Sequence, residues 1–563
     1  MSSNNSNDSD ESSHKAASLN GKQVFIHHEK SLDDAEIHGV TAGFVNEGYM
    51  EILKAHPVSR WSKERLTIYF TCFVVYLVST TNGYDGSLLS SLIAMPEFIS
   101  HLDIKSASGT GIVFAIFQVG QMVATLFVWL GDFIGRRNAI FIGSAIVCIG
   151  AIVTSVANNT STFIGGRFLL SFGSGISCAL ATTYLLEITP PDERSALCAV
   201  YNSLYYIGSI IATWSSYATS IDYADSVLAF RIPLWLQILC PGLVVIGLAC
   251  GIAPESPRFH YMTGEHEKAQ EFFVKYHANG DTNHPIVEYE IAQLELSLLE
   301  VPKLRVRDYF DVRILFKTHS RVYRSLVCIA HSAFGQLSGN AVVGYYITNI
   351  FLDLGIENAT TRLLLNGVNS ILGFVFAMVG SVLVGRIGRR FMLLYSTTGF
   401  VICFTVIAAC IAAHTNNNNQ TAAKVGIAFI YIFNNVFFSF GYTPLQPLYP
   451  AEILSSEMRA KGMALFQITQ GTASFINTYA APVAMQNINY WYYVFFVFWD
   501  TFEVIIIYLY FVETKNLTLE EIELIFESST PVKSSKIMSS PGAESNAEKV
   551  RLANLKLHSK VVV

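Results

Sequence analysis

The chain has 563 residues, 51% of them hydrophobic and only 14% charged, with a mean hydropathy of +0.39. A soluble chain carries about a quarter charged residues, so this composition places the chain in the membrane class. The formal net charge of −6 is small for this length and points to no partner, nucleic acid included.

Residues 1–65 are rich in Ser, Asn, Asp and Glu and lack the charged, apolar and cleavage regions of a signal peptide. A disordered cytoplasmic tail is expected there, with lysines and serines open to ubiquitin ligases and kinases. Six apolar segments long enough to span a bilayer follow, at roughly 66–93, 109–130, 138–157, 162–186, 197–219 and 230–252. A polar region, 253–322, interrupts them. Its apolar residues at helical spacing (Ala269, Phe272, Phe273, Tyr276, then Ile291, Leu294, Leu298) predict short amphipathic helices. Six further segments run at roughly 323–351, 362–384, 391–413, 425–449, 460–484 and 490–512. A second cytoplasmic tail, 513–563, closes the chain and is expected to be disordered after about 530.

Charge orients the spans. Loops after the even-numbered segments hold Arg136, Arg137, Arg194, Arg258, Arg386, Arg389, Arg390, Arg459 and Lys461, whereas the other loops offer little beyond Lys105, Arg362 and Lys424. Positive charge resists translocation, so both tails and the central region are expected in the cytoplasm. Glycosylation triplets at Asn158, Asn159, Asn358 and Asn419 fall in the loops this leaves outside, while those at Asn4 and Asn516 fall inside. The nine cysteines lie in apolar runs without metal-ligand spacing, and neither a disulfide framework nor a cofactor is expected.

The two halves repeat. Gly135-Arg136-Arg137 returns as Gly388-Arg389-Arg390, Glu187 and Arg194 as Glu452 and Arg459, and Glu255 as Glu513. An all-α integral membrane fold of about twelve helices, in two parallel six-helix repeats around a central site, is therefore expected. The recurring Arg and Glu, with Asp132, suit a cytoplasmic gate of bidentate ion pairs within each half and across the mouth, with Glu187–Arg194 as one candidate pair. Asp85, in Asn82-Gly83-Tyr84-Asp85-Gly86, lies well inside the first span, where a carboxylate is costly. The flanking glycines suggest a loosened helix, Arg167 is the expected partner cation, and loading and release of a proton is the expected role. Asp500 and Glu503 of the last span either line an aqueous cavity or contact a neighbouring helix, the second being preferred.

In these motifs the chain resembles the sugar porter family of the major facilitator superfamily over roughly 65–525. They run in order as Gly131-Asp132 to Arg137, Gly166-Arg167, Glu187 to Arg194, Pro254-Glu255-Ser256-Pro257-Arg258, Gln336-Leu337-Ser338-Gly339, Tyr345-Tyr346, Glu452 to Gly462 and Glu513-Thr514-Lys515. Gly83 to Ser87, Gly335 to Asn340 and Gly441 to Gln446 look most like the fungal lactose-permease-like branch. That resemblance implies a symporter of protons and mono- or disaccharides in the plasma membrane, with Asp85 at the coupling position. It also implies sugar contacts at Gln336, Asn369 and Asn477. Asn340, Gln446 and Tyr345 are added here because amides both donate and accept hydrogen bonds and aromatic faces cover sugar C–H groups.

The chain departs from the family at several of these positions. Gly335 stands for one glutamine of the seventh-span pair, Ser209 for a fifth-span glutamine, Pro447 for a tryptophan, Ala473-Ser474 for Gln-Trp, and Gly385 for the second loop aspartate. These losses remove bulk and donors, which suits either a larger sugar or a protein that no longer transports. An uncoupled facilitator and a sugar sensor that binds without turnover remain as alternatives. No nucleophile–base set, metal cluster or phosphate loop points to an enzyme or an ATP-driven pump.

Overall fold

The computed structural model describes residues 52–104, 106–251, 253–299, 311–417, 419–515, 517, 519–528 and 530–539. The expected N-terminal tail through residue 51, the basic stretch 300–310, the sequons at Asn4 and Asn516, and residues from 540 on lie outside them. Met1–Pro57 form a unit of their own, and everything below concerns Val58–Val563.

Among the described residues the regular structure is helical, and twelve long helices correspond to the twelve expected spans. They are α1 (Lys63–Leu92), α2 (Ala107–Thr125), α3 (Arg136–Val156), α4 (Thr160–Ile188), α5 (Arg194–Asp222) and α6 (Leu228–Ala249) in the first half. The second half holds α7 (His319–Asp353), α8 (Ala359–Ile387), α9 (Arg389–Asn417), α10 (Gln420–Tyr442), α11 (Ser456–Ile488) and α12 (Trp491–Tyr510). Over their described residues, ten are long and apolar enough to cross a membrane. α5 packs on α8 and α11 on α2, so these pairs join the halves, and α5 and α11 spend one face on the interface rather than on lipid. Under the repeat, α2 becomes α8 and α5 becomes α11, so the two joining pairs are images of each other.

The helix starts follow capping chemistry. The side chains of Ser62, Ser106, Asn159, Thr318, Asn358 and Asn419 accept from backbone N–H groups of the first turn of their helices. Three of the four sequons expected outside thus use their asparagine as a cap.

Two helices break where the site needs them to. α7 divides into His319–Leu337 and Asn340–Asp353 around Gly339, whose φ is 76°. A Cβ at Gly339 would lie 2.3 Å from the buried Phe404 ring, so glycine is required by both backbone and packing. Gly339→Ala is expected to cost about 1–3 kcal/mol of overpacking on top of left-handed strain. Thermal unfolding of the purified protein, set beside Gly344→Ala, whose Cβ would meet nothing within 4 Å, checks it. α10 widens into a π-helix over Ile432–Tyr442. The expected loosening of α1 is not seen: the helix is continuous, and a Cβ at Gly83 would stand 1.8 Å from the Tyr205 carbonyl oxygen. Its glycines serve close approach to α5.

The central region forms Pro257–Met262, His266–Phe272, a π-turn Phe273–His277 and Pro285–Leu299, with Ala269, Phe272, Phe273 and Tyr276 buried as expected. His277 is buried, with Nδ1 2.7 Å from Glu290 and Nε2 3.2 Å from the Ile188 carbonyl, which ties the linker to the end of α4. The second tail differs from expectation. Leu519–Glu527 and Pro531–Met538 are helical and dock beneath the second half, with Arg324 over the Phe526 ring and Ser535 accepting from the Glu513 N–H. Burial of Ile522, Ile525, Phe526 and Met538 explains an order that the polar composition after 530 concealed.

Candidate functional site

At the basic end, each half builds the same cluster. Gly135 (φ 94°) and Gly388 (φ 105°) open α3 and α9, and at both a Cβ would strike a glutamate: Glu255 at 2.4 Å, Glu513 at 2.9 Å. Glu255 accepts from the Arg137 N–H at 3.1 Å, and Glu513 from those of Arg389 and Arg390 at 2.9 and 3.1 Å. A carboxylate there also meets the positive end of the helix dipole. Arg136 Nε pairs with Glu187 at 2.9 Å, and Arg389 Nη2 with Glu452 at 2.7 Å. Arg137 donates to the Leu248 carbonyl, and Arg390 to that of Tyr508. Only the first cluster adds an aspartate, Asp132, 2.8 Å from Arg136; Gly385 takes its place in the second.

One expected pair is not made. Arg194 donates to the Thr189 carbonyl at 3.3 Å rather than to Glu187, because Arg136, Arg258 and Ser256 already surround that carboxylate. Arg459 stands apart, its Nε buried without a partner. Among the described residues, the ion pairs of this end stay within one half and none crosses between halves. The hydrogen bonds that join the halves lie elsewhere. At the opposite end Thr348 donates to the Ser90 carbonyl (2.9 Å), Arg362 to that of Ala94 (3.4 Å), and Asn366 to Ser90 and Ser91. Midway, Gln118 meets Tyr345 (3.2 Å), Ser209 meets Ser370 (3.2 Å) and Tyr206 meets Ser439 (3.2 Å).

Between these levels lies a cavity of about 400 Å³, walled by α1, α2, α5, α7, α8, α10 and α11. Gln336, Asn340, Asn369, Gln446 and Tyr345 line it as expected. The break in α7 sets Gln336 and Asn340 on either side of Gly339, and the π-helix of α10 leads to Gln446. Asn477 does not line it. Its amide donates to the Gln336 carbonyl at 2.8 Å and accepts from Tyr492, so it serves an acceptor that the α7 break leaves free. Sequence reasoning missed Asn82, Gln118, Gln121, Gln467 and Gln470, amides on α1, α2 and α11 that also face the cavity. The repeated amides on α2 and α11 were the available signal.

Asp85 lies just behind the wall, fully buried, while its neighbours Gly86 and Ser87 line it. It does not form the expected direct ion pair with Arg167. One carboxyl oxygen accepts from Gln237 and the other has no partner; Arg167 acts on it only through space while stacking over Phe117 at 5.0 Å. Gln237 sits in the gap between the two pieces of α6, between Pro233 and Pro241. An amide in a proline-broken apolar helix was its sequence signal. In α12 Asp500 and Glu503 are also fully buried, and the Trp499 indole donates to Glu503 at 2.6 Å.

Residues 71–526 match the family described as Sugar (and other) transporter. The chain is 27% identical to the MFS-type transporter oryC of Aspergillus oryzae, over 79% of this chain and 83% of that one. It is also 27% identical to the sugar transporter STL1 of Saccharomyces cerevisiae, over 84% of each. To the quinate permease of Neurospora terricola it is 24% identical, over 84% of this chain and 91% of that one. In fold it is similar to the proton:xylose symporter XylE of E. coli bound to 6-bromo-6-deoxy-D-glucose, with a TM-score of 0.64, 18% identity and coverage of 82% and 100%. The long apolar helices, the duplicated clusters and the cavity between halves are those of a multi-pass membrane transporter rather than an enzyme, and the chain belongs to the sugar porter family of the major facilitator superfamily.

Proposed function

We propose that this protein imports a neutral sugar, a hexose or a disaccharide such as lactose, together with protons across the plasma membrane by alternating access, with both termini in the cytoplasm. The wall of the cavity carries the reading. Its 29 described residues include eleven Asn or Gln and no Asp, Glu, Lys, Arg or His. Amides and hydroxyls both donate and accept, which matches the hydroxyls of a sugar. A carboxylated substrate such as quinate would ask for a cation in that wall. Tyr345, Tyr205 and Phe117 supply aromatic faces for the C–H side of a ring.

In this reading Gln336, Asn340, Asn369, Gln446 and Tyr345 contact sugar, and Asn477 holds Gln336 in place. Asp85 takes up and releases the proton, with Gln237 and Arg167 adjusting the balance between its two states. Asp132, Arg136, Arg137, Glu187, Glu255, Arg389, Arg390, Glu452 and Glu513 stiffen the cytoplasmic ends of the halves, and Arg194 and Arg459 are free to re-pair when the mouth closes. With the basic end in the cytoplasm, the conformer seen is closed outside and parted inside.

Uptake of labelled glucose, galactose, lactose, cellobiose and quinate into cells without their own carriers tests the reading at acidic and neutral pH. Protonophore-sensitive accumulation of a neutral sugar, with quinate excluded, is the expected result. Sugar equilibration indifferent to protonophore makes the protein a facilitator. No uptake of any sugar despite surface expression makes it a sensor, and quinate uptake overturns the neutral-substrate reading.

A further inference from the structure

α12 holds two carboxyl groups that the proposed coupling site does not use. Asp500 and Glu503 are three residues apart, hence neighbours on one face of the helix. Both are fully buried, neither oxygen of Asp500 has a hydrogen-bond partner, and Oε2 of Glu503 has none. A third buried polar group lies within electrostatic reach of them. The Tyr442 hydroxyl, at the end of the π-helix of α10, is fully buried and unpartnered, and lies in the field of both carboxyls, Glu503 acting the more strongly.

The groups facing this cluster are few. α9 and α11 pack on α12; α9 brings the Thr397 hydroxyl near Tyr442, and among the described residues neither helix adds a charge that acts on the carboxyls. α7 contributes His331, whose ring stacks on Tyr442 at 5.8 Å while its Nε2 faces the Leu445 carbonyl. Among the described residues no arginine or lysine neutralises the pair. Two adjacent carboxylates in an apolar interior without a cation cannot both stay ionised, so a shared proton is the least costly occupant. A metal ion of comparable charge would need more oxygen ligands than the cluster supplies.

Tyr442 also connects the pair to the cavity. Its ring stands 3.5 Å from the place a Cβ on Gly335 would take, beside the Gln446 amide, and Gln446 and Gln336 are cavity wall. We propose that Asp500 and Glu503 form a second proton-binding site, exchanging one shared proton with water in the central cavity through the Tyr442 hydroxyl. The hydroxyl is buried behind the wall, so exchange requires a water to enter past Gln446; the phenol then gives its proton to the carboxylate as it takes one from that water, and no charge remains on the ring. The inference rests on proton-coupled transport for its use, but the binding of the proton can be read without transport.

The test uses the purified full-length protein in lipid vesicles. Infrared difference spectra across the acidic to neutral range are expected to show a buried carboxylic acid C=O band that titrates, shifts in deuterated water, changes frequency and midpoint in Asp500→Asn and in Glu503→Gln, and is lost when both are replaced. Tyr442→Phe, which keeps both carboxyls, is expected to retain the band and slow its deuterium exchange at least tenfold. In vesicles loaded with sugar, the reversal potential is expected to report one proton fewer per sugar in Glu503→Gln than in the parent protein. A band that does not titrate, or that survives replacement of both carboxyls together, overturns the site. Displacement of the band by sodium at constant pH overturns its assignment to a proton. An unchanged proton-to-sugar ratio overturns its role in transport, and a parent protein that moves no sugar but shows the titrating band fails the transport reading alone.

Discussion

Asp85→Asn is expected to abolish concentrative uptake, bringing the internal sugar concentration down to the external one and removing its sensitivity to protonophore. The amide keeps the shape of the carboxyl, and the hydrogen bond between Gln237 and residue 85 can be kept by an amide flip, so the fold should survive. What is lost is the ability to gain and release a proton at a place sealed from lipid and solvent, just behind the cavity wall. Sugar binding, read by tryptophan fluorescence or by protection from heat, should persist, because Asp85 does not line the cavity. Loss of binding together with accumulation would instead make Asp85 a structural residue. Counterflow, which needs no gradient, separates the two: it should continue in Asp85→Asn if only coupling has gone.

Arg136→Ala is expected to be the most destabilising single change at the basic end. All three guanidinium nitrogens are engaged, with Asp132 at 2.8 Å, Glu187 at 2.9 Å and the Gly131 carbonyl at 3.2 Å, and the side chain is only 4% exposed. Removing one partner of a buried pair leaves the other charge uncompensated and costs about 3–5 kcal/mol. The image residue gives a built-in comparison. Arg389 meets one carboxylate and the pair is 14% and 18% exposed, so Arg389→Ala is expected to cost about 1.5–3 kcal/mol. Arg136→Lys should not restore stability, since a point charge cannot serve three acceptors held in a fork. Thermal unfolding followed by size-exclusion chromatography reads all three; equal losses for Arg136→Ala and Arg389→Ala would remove Asp132 as the cause of asymmetry.

Much of the architecture was legible because it is written locally. A span declares itself by about twenty apolar residues, and the duplication by glycine, arginine and glutamate recurring in the same order at offsets of 253 to 265 residues. Those pairs then met in space as Arg136 with Glu187 and Arg389 with Glu452. Five of the six expected sugar contacts reached the cavity wall: Gln336, Asn340, Tyr345 and Gln446 lie around the breaks in α7 and α10, which glycines and prolines announce, and Asn369 lies on the unbroken α8. The misreadings all concern contacts between distant segments. That Gln237 rather than Arg167 touches Asp85, that Asn477 serves a freed carbonyl, and that Gly83 admits the backbone of α5 follow from how helices are placed against one another. Periodicity within each helix carries no such information. The helix at Pro531–Met538 was missed because its stability comes from the surface it docks on.

The face opposite the arginine clusters is held shut by Thr348, Arg362 and Asn366 reaching the end of α1, and by Ser108 against Tyr479. Each neutral bond of this set is worth about 0.5–1.5 kcal/mol net and that of the Arg362 guanidinium about 1.5–3 kcal/mol, because water takes the place of each when it opens. The polar part of that closure is therefore weak. In the proposed cycle a solute with a preference for the other orientation shifts the balance between the two, and the direction of net flow is left to the gradients.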